Sequence, residues 1–136
     1  KFLGDAVVAV FGAPEDVTDH AEHATRAAAA MIRATRAMGP ELRARYGRAL
    51  NISVGINTGT VIAGPVGTAE RREYTIIGET VNIAARVEEL TRKLRVDVLL
   101  TEATAHRLKG RHALTGKGEH RLTGLREPVM VWSLEA

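Results

Sequence analysis

The run Tyr74–Arg86, Y-T-I-I-G-E-T-V-N-I-A-A-R, constrains the fold more than any other segment of the chain. It reads as a short buried strand, Tyr74 to Ile77, a turn at Gly78, and a helix from about Glu79. Ile83, Val87, Leu90 and Leu94 follow the i, i+4, i+7, i+11 pattern of a core-facing stripe. Asn82 and Arg86 stand four residues apart and share a different face, one turn apart. A neutral amide beside a fixed guanidinium, just past a buried strand, suits recognition of a phosphate or sugar oxygen. A solvated polar face is the plainer reading of this helix alone, because i, i+4 polar pairs are common.

Around that unit the pattern reads as strand, long helix, two strands, strand-helix, strand, short helix and two strands. Lys1-Phe2-Leu3-Gly4-Asp5 leads into Ala6 to Phe11, an apolar run of strand length. Asp5 is thereby placed at a strand end, where hard divalent cations are often held, although Gly-Asp is equally good turn chemistry. An alanine-rich helix is expected from about Asp16 to Met38, stopped by Gly39-Pro40. Asn51 to Asn57 alternates Ile52, Val54 and Ile56 on one face, and Thr60 to Gly64 forms a second strand. Pro65 to Arg72 reads as an exposed loop. Val96 to Thr101 is nearly all apolar, as in a strand buried on both faces. Glu102 to Lys109 is a short helix capped by Thr101 and ended by Gly110. His112 to Leu122 and Pro128 to Leu134 complete an α+β sandwich, one sheet with helices on a face.

Composition sets limits on function. The chain has 136 residues, enough for one domain with a real core. Its lack of cysteine excludes disulfides and thiolate metal sites and fits an intracellular address. No apolar stretch approaches the ~20 residues of a membrane span, and no signal peptide is visible. A net charge of +3 with only 4% aromatic residues gives poor support to nucleic-acid binding. His20 and His23, near Asp16 and Asp19, read as solvated surface at a helix start rather than as a metal cluster. His106, His112 and His120 have no convincing partners in the sequence, and Trp132 is expected in the core.

Taken together, K-x-x-G-D at Lys1, V-G-I-N-T-G at Val54, the Tyr74–Arg86 run and G-L-x-x-P-V-x-V-W at Gly124 resemble the class III nucleotidyl cyclases. These are the adenylate and guanylate cyclase catalytic domains, and the resemblance runs in order over essentially the whole chain. It implies a ferredoxin-like α+β sandwich, with one mostly antiparallel sheet and helices packed on it. It also implies conversion of ATP to cyclic AMP and pyrophosphate with two divalent cations, Mg²⁺ or Mn²⁺. By that resemblance Asp5 is a metal carboxylate, Arg86 steadies charge on the α-phosphoryl group and the leaving group, and Asn82 orients the ribose. Lys1 and Thr75 match the purine-binding pair, and the lysine favours adenine; Thr75 stands where many adenylate cyclases carry aspartate. Lys117 matches part of a triphosphate-binding run, although Thr115 occupies the place of the lysine that does the binding.

The family's first metal aspartate belongs to a strand upstream of the K-x-x-G-D hairpin, and no matching motif occurs here. Residues 1–136 therefore read as a cyclase domain lacking its first strand and helices, and this piece alone is expected to be inactive. Lys1 and Asp5 flank one tight hairpin, too close to serve the base and the phosphates of the same nucleotide. The family resolves this with a head-to-tail homodimer carrying two shared sites. The expected setting is cytoplasmic intracellular signalling, with no nucleic-acid partner and with membrane attachment only through regions beyond this chain. The alternatives are a guanylate cyclase, or a cyclase-like domain that binds nucleotide and regulates.

Overall fold

The computed structural model describes residues 2–3 and 5–135, with side chains from Asp5 onward. In chain order the elements are β1 (Phe2–Leu3), β2 (Ala6–Val7), α1 (His20–Tyr46), β3 (Val54–Ile56), β4 (Ile62–Gly67) and β5 (Arg72–Ile77). There follow α2 (Glu79–Leu94), β6 (Val98–Thr101), α3 (Glu102–Leu108), β7 (Leu114–His120) and β8 (Val129–Leu134). The centre is a four-stranded sheet in the order β3-β6-β8-β7. β3 and β6 run parallel, as a β-α-β crossover through α2 requires, and the other two ladders are antiparallel. The mostly antiparallel sheet with helices packed on it is thus present. Two hairpins, β1-β2 and β4-β5, stand beside it as separate ladders.

β6 explains the layering. All four of its residues are buried, and successive side chains point to opposite faces. Val98 and Leu100 join Ala28 and Ile32 of α1, Leu108 of α3, and Ile56. Leu99 joins Val87, with Ile83, Leu90 and Leu94 of α2 packed around them. The helices therefore cover both faces of the sheet, not one, because a strand apolar on both sides needs a layer on each. Gly55 permits the α2 layer: a Cβ there would lie 2.4 Å from the backbone nitrogen of Glu88.

Several boundaries differ from the sequence reading. α1 continues through Pro40 to Tyr46 and ends where Gly47, at φ 79°, donates its N–H to the Arg43 carbonyl. Gly39 allows the passage, since it lacks the Cβ that would meet the proline ring. The segment read as a loop from Pro65 contains the end of β4, with Pro65 opposite Tyr74 on a two-stranded ladder. Most consequential is β5. It is expected to be buried, yet Tyr74 is 47% and Ile77 53% exposed, because among the described residues β5 pairs with β4 alone and stands outside the four-stranded sheet. Trp132 is half-buried and its indole N–H donates to the Glu102 carboxylate, so only part of the ring is in the core.

Candidate functional site

α2 begins at Gly78, whose φ of 148° favours a residue without a Cβ. The first turn is tied to the segment that follows β3. Thr80 Oγ1 donates to the Thr60 carbonyl at 2.7 Å, and Asn57 Nδ2 donates to the Thr80 carbonyl at 3.1 Å. Asn57 Oδ1 in turn accepts from Thr101 Oγ1 at 2.7 Å. Thr101 sits at the N-cap position of α3, but its hydroxyl is spent on Asn57 and makes no cap bond. Thr104, fully buried, bonds Thr58 at 2.8 Å. A Cβ on Gly59 would fall 2.5 Å from Thr80 Oγ1, so only glycine lets this segment close on the helix. The sequence reading took V-G-I-N-T-G as a family mark and missed these contacts. The signal was there, in a polar residue between two glycines that leave room for α2.

Asn82 and Arg86 lie on an exposed face of α2, beside the stripe that packs on the sheet. The Arg86 guanidinium is held by Glu89, at 3.2 Å to each carboxylate oxygen. Thr75 is half-buried on β5 opposite Gly64, and its hydroxyl donates to the Glu73 carbonyl at 3.2 Å. Asp5 is exposed in the turn between β1 and β2. Lys117 lies at an irregularity in β7, where its carbonyl accepts from His120 Nε2 at 2.8 Å. Thr115 donates to Glu135 Oε1 at 2.8 Å. Lys1, the other half of the expected purine pair, falls outside the described residues.

Among the described residues, no hydrogen bond or ion pair joins any two of Asp5, Thr75, Asn82, Arg86 and Lys117. Nor do these residues line either of two shallow clefts on the surface. One, of about 360 Å³, lies around Phe11, Pro14, Val17 and His23; the other, of about 240 Å³, around Arg36, Arg43 and Asp97. The candidate site on a single chain is open surface. No group of three His, Cys, Asp or Glu among the described residues could hold a metal ion. Asp5 is a single exposed carboxylate, and a metal ion held there would need further ligands.

One polar cluster was not anticipated. Glu22 of α1 is buried and accepts from His112 Nε2 at 2.7 Å and from Arg26 Nε at 3.0 Å, with Arg111 Nε 3.4 Å from its other oxygen. His112 therefore has a partner, supplied by an element distant in sequence. Burial taken alone would raise the Glu22 pKa. The His112 hydrogen bond, then the charges of His112, Arg111 and Arg26, outweigh it and hold the carboxyl below its ordinary 4.5. His120 is likewise partnered, by the Lys117 carbonyl.

Comparison with known proteins places this architecture. The family model "Adenylate and Guanylate cyclase catalytic domain" matches residues 1–136. The chain belongs to that family, the class III cyclase catalytic domains. Adenylate cyclase 1 of Rhizobium meliloti is 39% identical over 137 residues, 92% of this chain and 19% of that protein. The adenylate cyclase of Anabaena cylindrica is 35% identical over 79% of this chain and 21% of its own length. The chain thus spans about a fifth of these curated relatives. The adenylyl cyclase CyaB of P. aeruginosa superposes with a TM-score of 0.89 at 29% identity, covering 100% of this chain and 70% of that one. The guanylyl cyclase Cya2 does so with a TM-score of 0.90 at 27% identity, over 98% and 67%. Among the described residues, no helix is long and apolar enough to cross a membrane.

Proposed function

We propose that this chain forms most of the catalytic domain of an adenylate cyclase, converting ATP to 3′,5′-cyclic AMP and pyrophosphate at sites shared between two head-to-tail copies. The observation that carries the reading is the outward Asn82–Arg86 face of a helix packed on the sheet, in a chain with relatives named adenylate cyclases. Arg86 steadies charge on the α-phosphoryl oxygens and the departing pyrophosphate, and Asn82 orients the ribose for attack by its 3′-oxygen. The Arg86–Glu89 pair is exposed and worth about 1 kcal/mol at most, so the guanidinium is readily released to a phosphate. Lys1 and Thr75 read adenine, and Lys117 approaches the triphosphate. Asp5 would hold divalent cations, Mg²⁺ or Mn²⁺, which when bound lower the hydroxyl's pKa and offset phosphate charge.

The β4-β5 hairpin supports the shared site. Ile62, Val66 and Ile77 share one of its faces with Thr75 by strand alternation, and all three isoleucine and valine side chains are more than half exposed. A second copy covering this face would bury apolar surface and bring Thr75 toward the partner's Asp5. ATP as substrate fits a cytoplasmic role in signalling.

The test uses the full-length protein. Asp5→Ala and Arg86→Ala are each expected to be inactive alone and to recover activity when co-expressed. A mixed dimer has one site with both lesions and one with neither, so up to half of its sites are intact. No recovery in verified heterodimers would mean that each site is built within one chain. No cyclic AMP from the wild type with either metal would leave a nucleotide-binding regulatory domain, and cyclic GMP from GTP would make the protein a guanylate cyclase.

A further inference from the structure

We infer that Asn57, locked by Thr101, is a positioning residue for the cyclase reaction: it fixes the first turn of α2 and, through it, the aim of Asn82 and Arg86. The inference rests on the function proposed above and adds residues that touch no substrate.

The geometry is specific. A primary amide has one donor end and one acceptor end, and here each is used. The Thr80 carbonyl can only accept, so the Asn57 nitrogen must face it, and Oδ1 is left to receive the Thr101 hydroxyl. Thr101 is 2% exposed and Thr104 fully buried, so water does not compete freely for these groups. The link spans three elements: the end of β3, the first turn of α2 and the junction of β6 with α3. Thr80 is also held from its side chain, by the Thr60 carbonyl. Thr80 lies two residues before Asn82, and the amides of Val81 and Asn82 both bond the Gly78 carbonyl, at 3.1 and 3.4 Å. A helix start has orphan donors and frays easily; here it has no side-chain cap of its own. The Asn57 bond leaves those donors as they are and acts differently, tethering a carbonyl of the first turn to the end of β3. Among the described residues no hydrogen bond or ion pair ties the Asn82 or Arg86 side chain to the sheet, so their aim depends on this anchorage of the backbone.

The experiment compares Asn57→Asp, Thr101→Val and Thr101→Ser in the full-length protein, with kcat, KM and amide hydrogen exchange at Val81 and Asn82. Asn57→Asp is nearly isosteric and keeps the acceptor for Thr101, but loses the donor to Thr80. Thr101→Val keeps the shape and loses the hydroxyl. Both are expected to lower kcat by roughly ten- to a hundred-fold with little change in KM, since misplacement of about 1 Å costs that much. Exchange at Val81 and Asn82 should accelerate in both. Thr101→Ser, which retains the hydroxyl, should behave as wild type. Wild-type kcat in Asn57→Asp and Thr101→Val, with Arg86→Ala inactive, would overturn the inference and leave the cyclase reading intact. A Thr101→Ser as poor as Thr101→Val would overturn it as well, because the hydroxyl would not be what matters. An Arg86→Ala enzyme with full activity would instead defeat the proposed function itself.

Discussion

β6 and the Tyr74–Ile77 end of β5 are both short, mainly apolar strand segments, each joined to a helix through a turn or directly, and the structure treats them oppositely. Every residue of β6 is buried between two helix layers, whereas β5 lies on a two-stranded ladder with Tyr74 and Ile77 half open to solvent. For the apolar residues of the two strands the difference is one of neighbours. β6 has β3 and β8 on its two edges and helices on both faces, while among the described residues β5 has β4 as its single strand partner. Its exposed apolar residues are the ones that the proposed dimer would cover. β6 holds the domain together; β5, in the proposed reading, holds two domains together and carries Thr75.

The contrast can be broken most strongly at β6. Leu100→Ala removes a fully buried side chain from the α1 layer and should cost about 2–5 kcal/mol, read from urea unfolding. A loss below about 1 kcal/mol would mean that β6 is not the keystone of the core.

A smaller effect is expected at the edge of the same layer, where Glu22 links α1 to Arg111 and His112. Its carboxyl is depressed in the folded state, so its contribution is present above the ordinary carboxylate value and is lost as pH falls through the folded one. Thermal stability should therefore decline below about pH 4.5 more steeply in the wild type than in Glu22→Gln, which is already destabilised at neutral pH. Parallel curves for the two proteins would show that the cluster does not couple protonation to folding.

The smallest change in stability, and the one that most sharpens the comparison, belongs to the hairpin. Ile62→Ser with Ile77→Ser should alter unfolding of the isolated chain by no more than about 0.5 kcal/mol per site. In the full-length protein the same pair should abolish self-association in sedimentation and cyclase turnover with it. A double variant that still dimerises would move the interface away from β4-β5.

Much of this was legible along the chain. The stripe Ile83, Val87, Leu90, Leu94 needs only helical periodicity to be seen, and it packs where that periodicity says. The start of α2 at Glu79 was read correctly, and of the buried strand expected over Val96 to Thr101 the last four residues form β6, its continuous apolar run being the signal. The order of the motifs was enough to mark the cyclase family, which the family model then matched over residues 1–136. Asn82 and Arg86 were placed on one exposed face by their spacing alone.

Other features have no local signature. The passage of α1 through Pro40 depends on Gly39 lacking a Cβ, a steric matter that average proline behaviour misstates. The pairing of Glu22 with His112 spans 90 residues of sequence, and the Asn57 to Thr101 bond spans 44. Whether an apolar strand such as Tyr74–Ile77 is buried is likewise not a property of its residues, since burial is set by what the rest of the chain, or a second chain, lays against it. Periodicity and motif are written in neighbours along the sequence and so determined the elements and the family. Burial, charge pairing and the anchoring of α2 are made by neighbours in space, and only the tertiary structure could decide them.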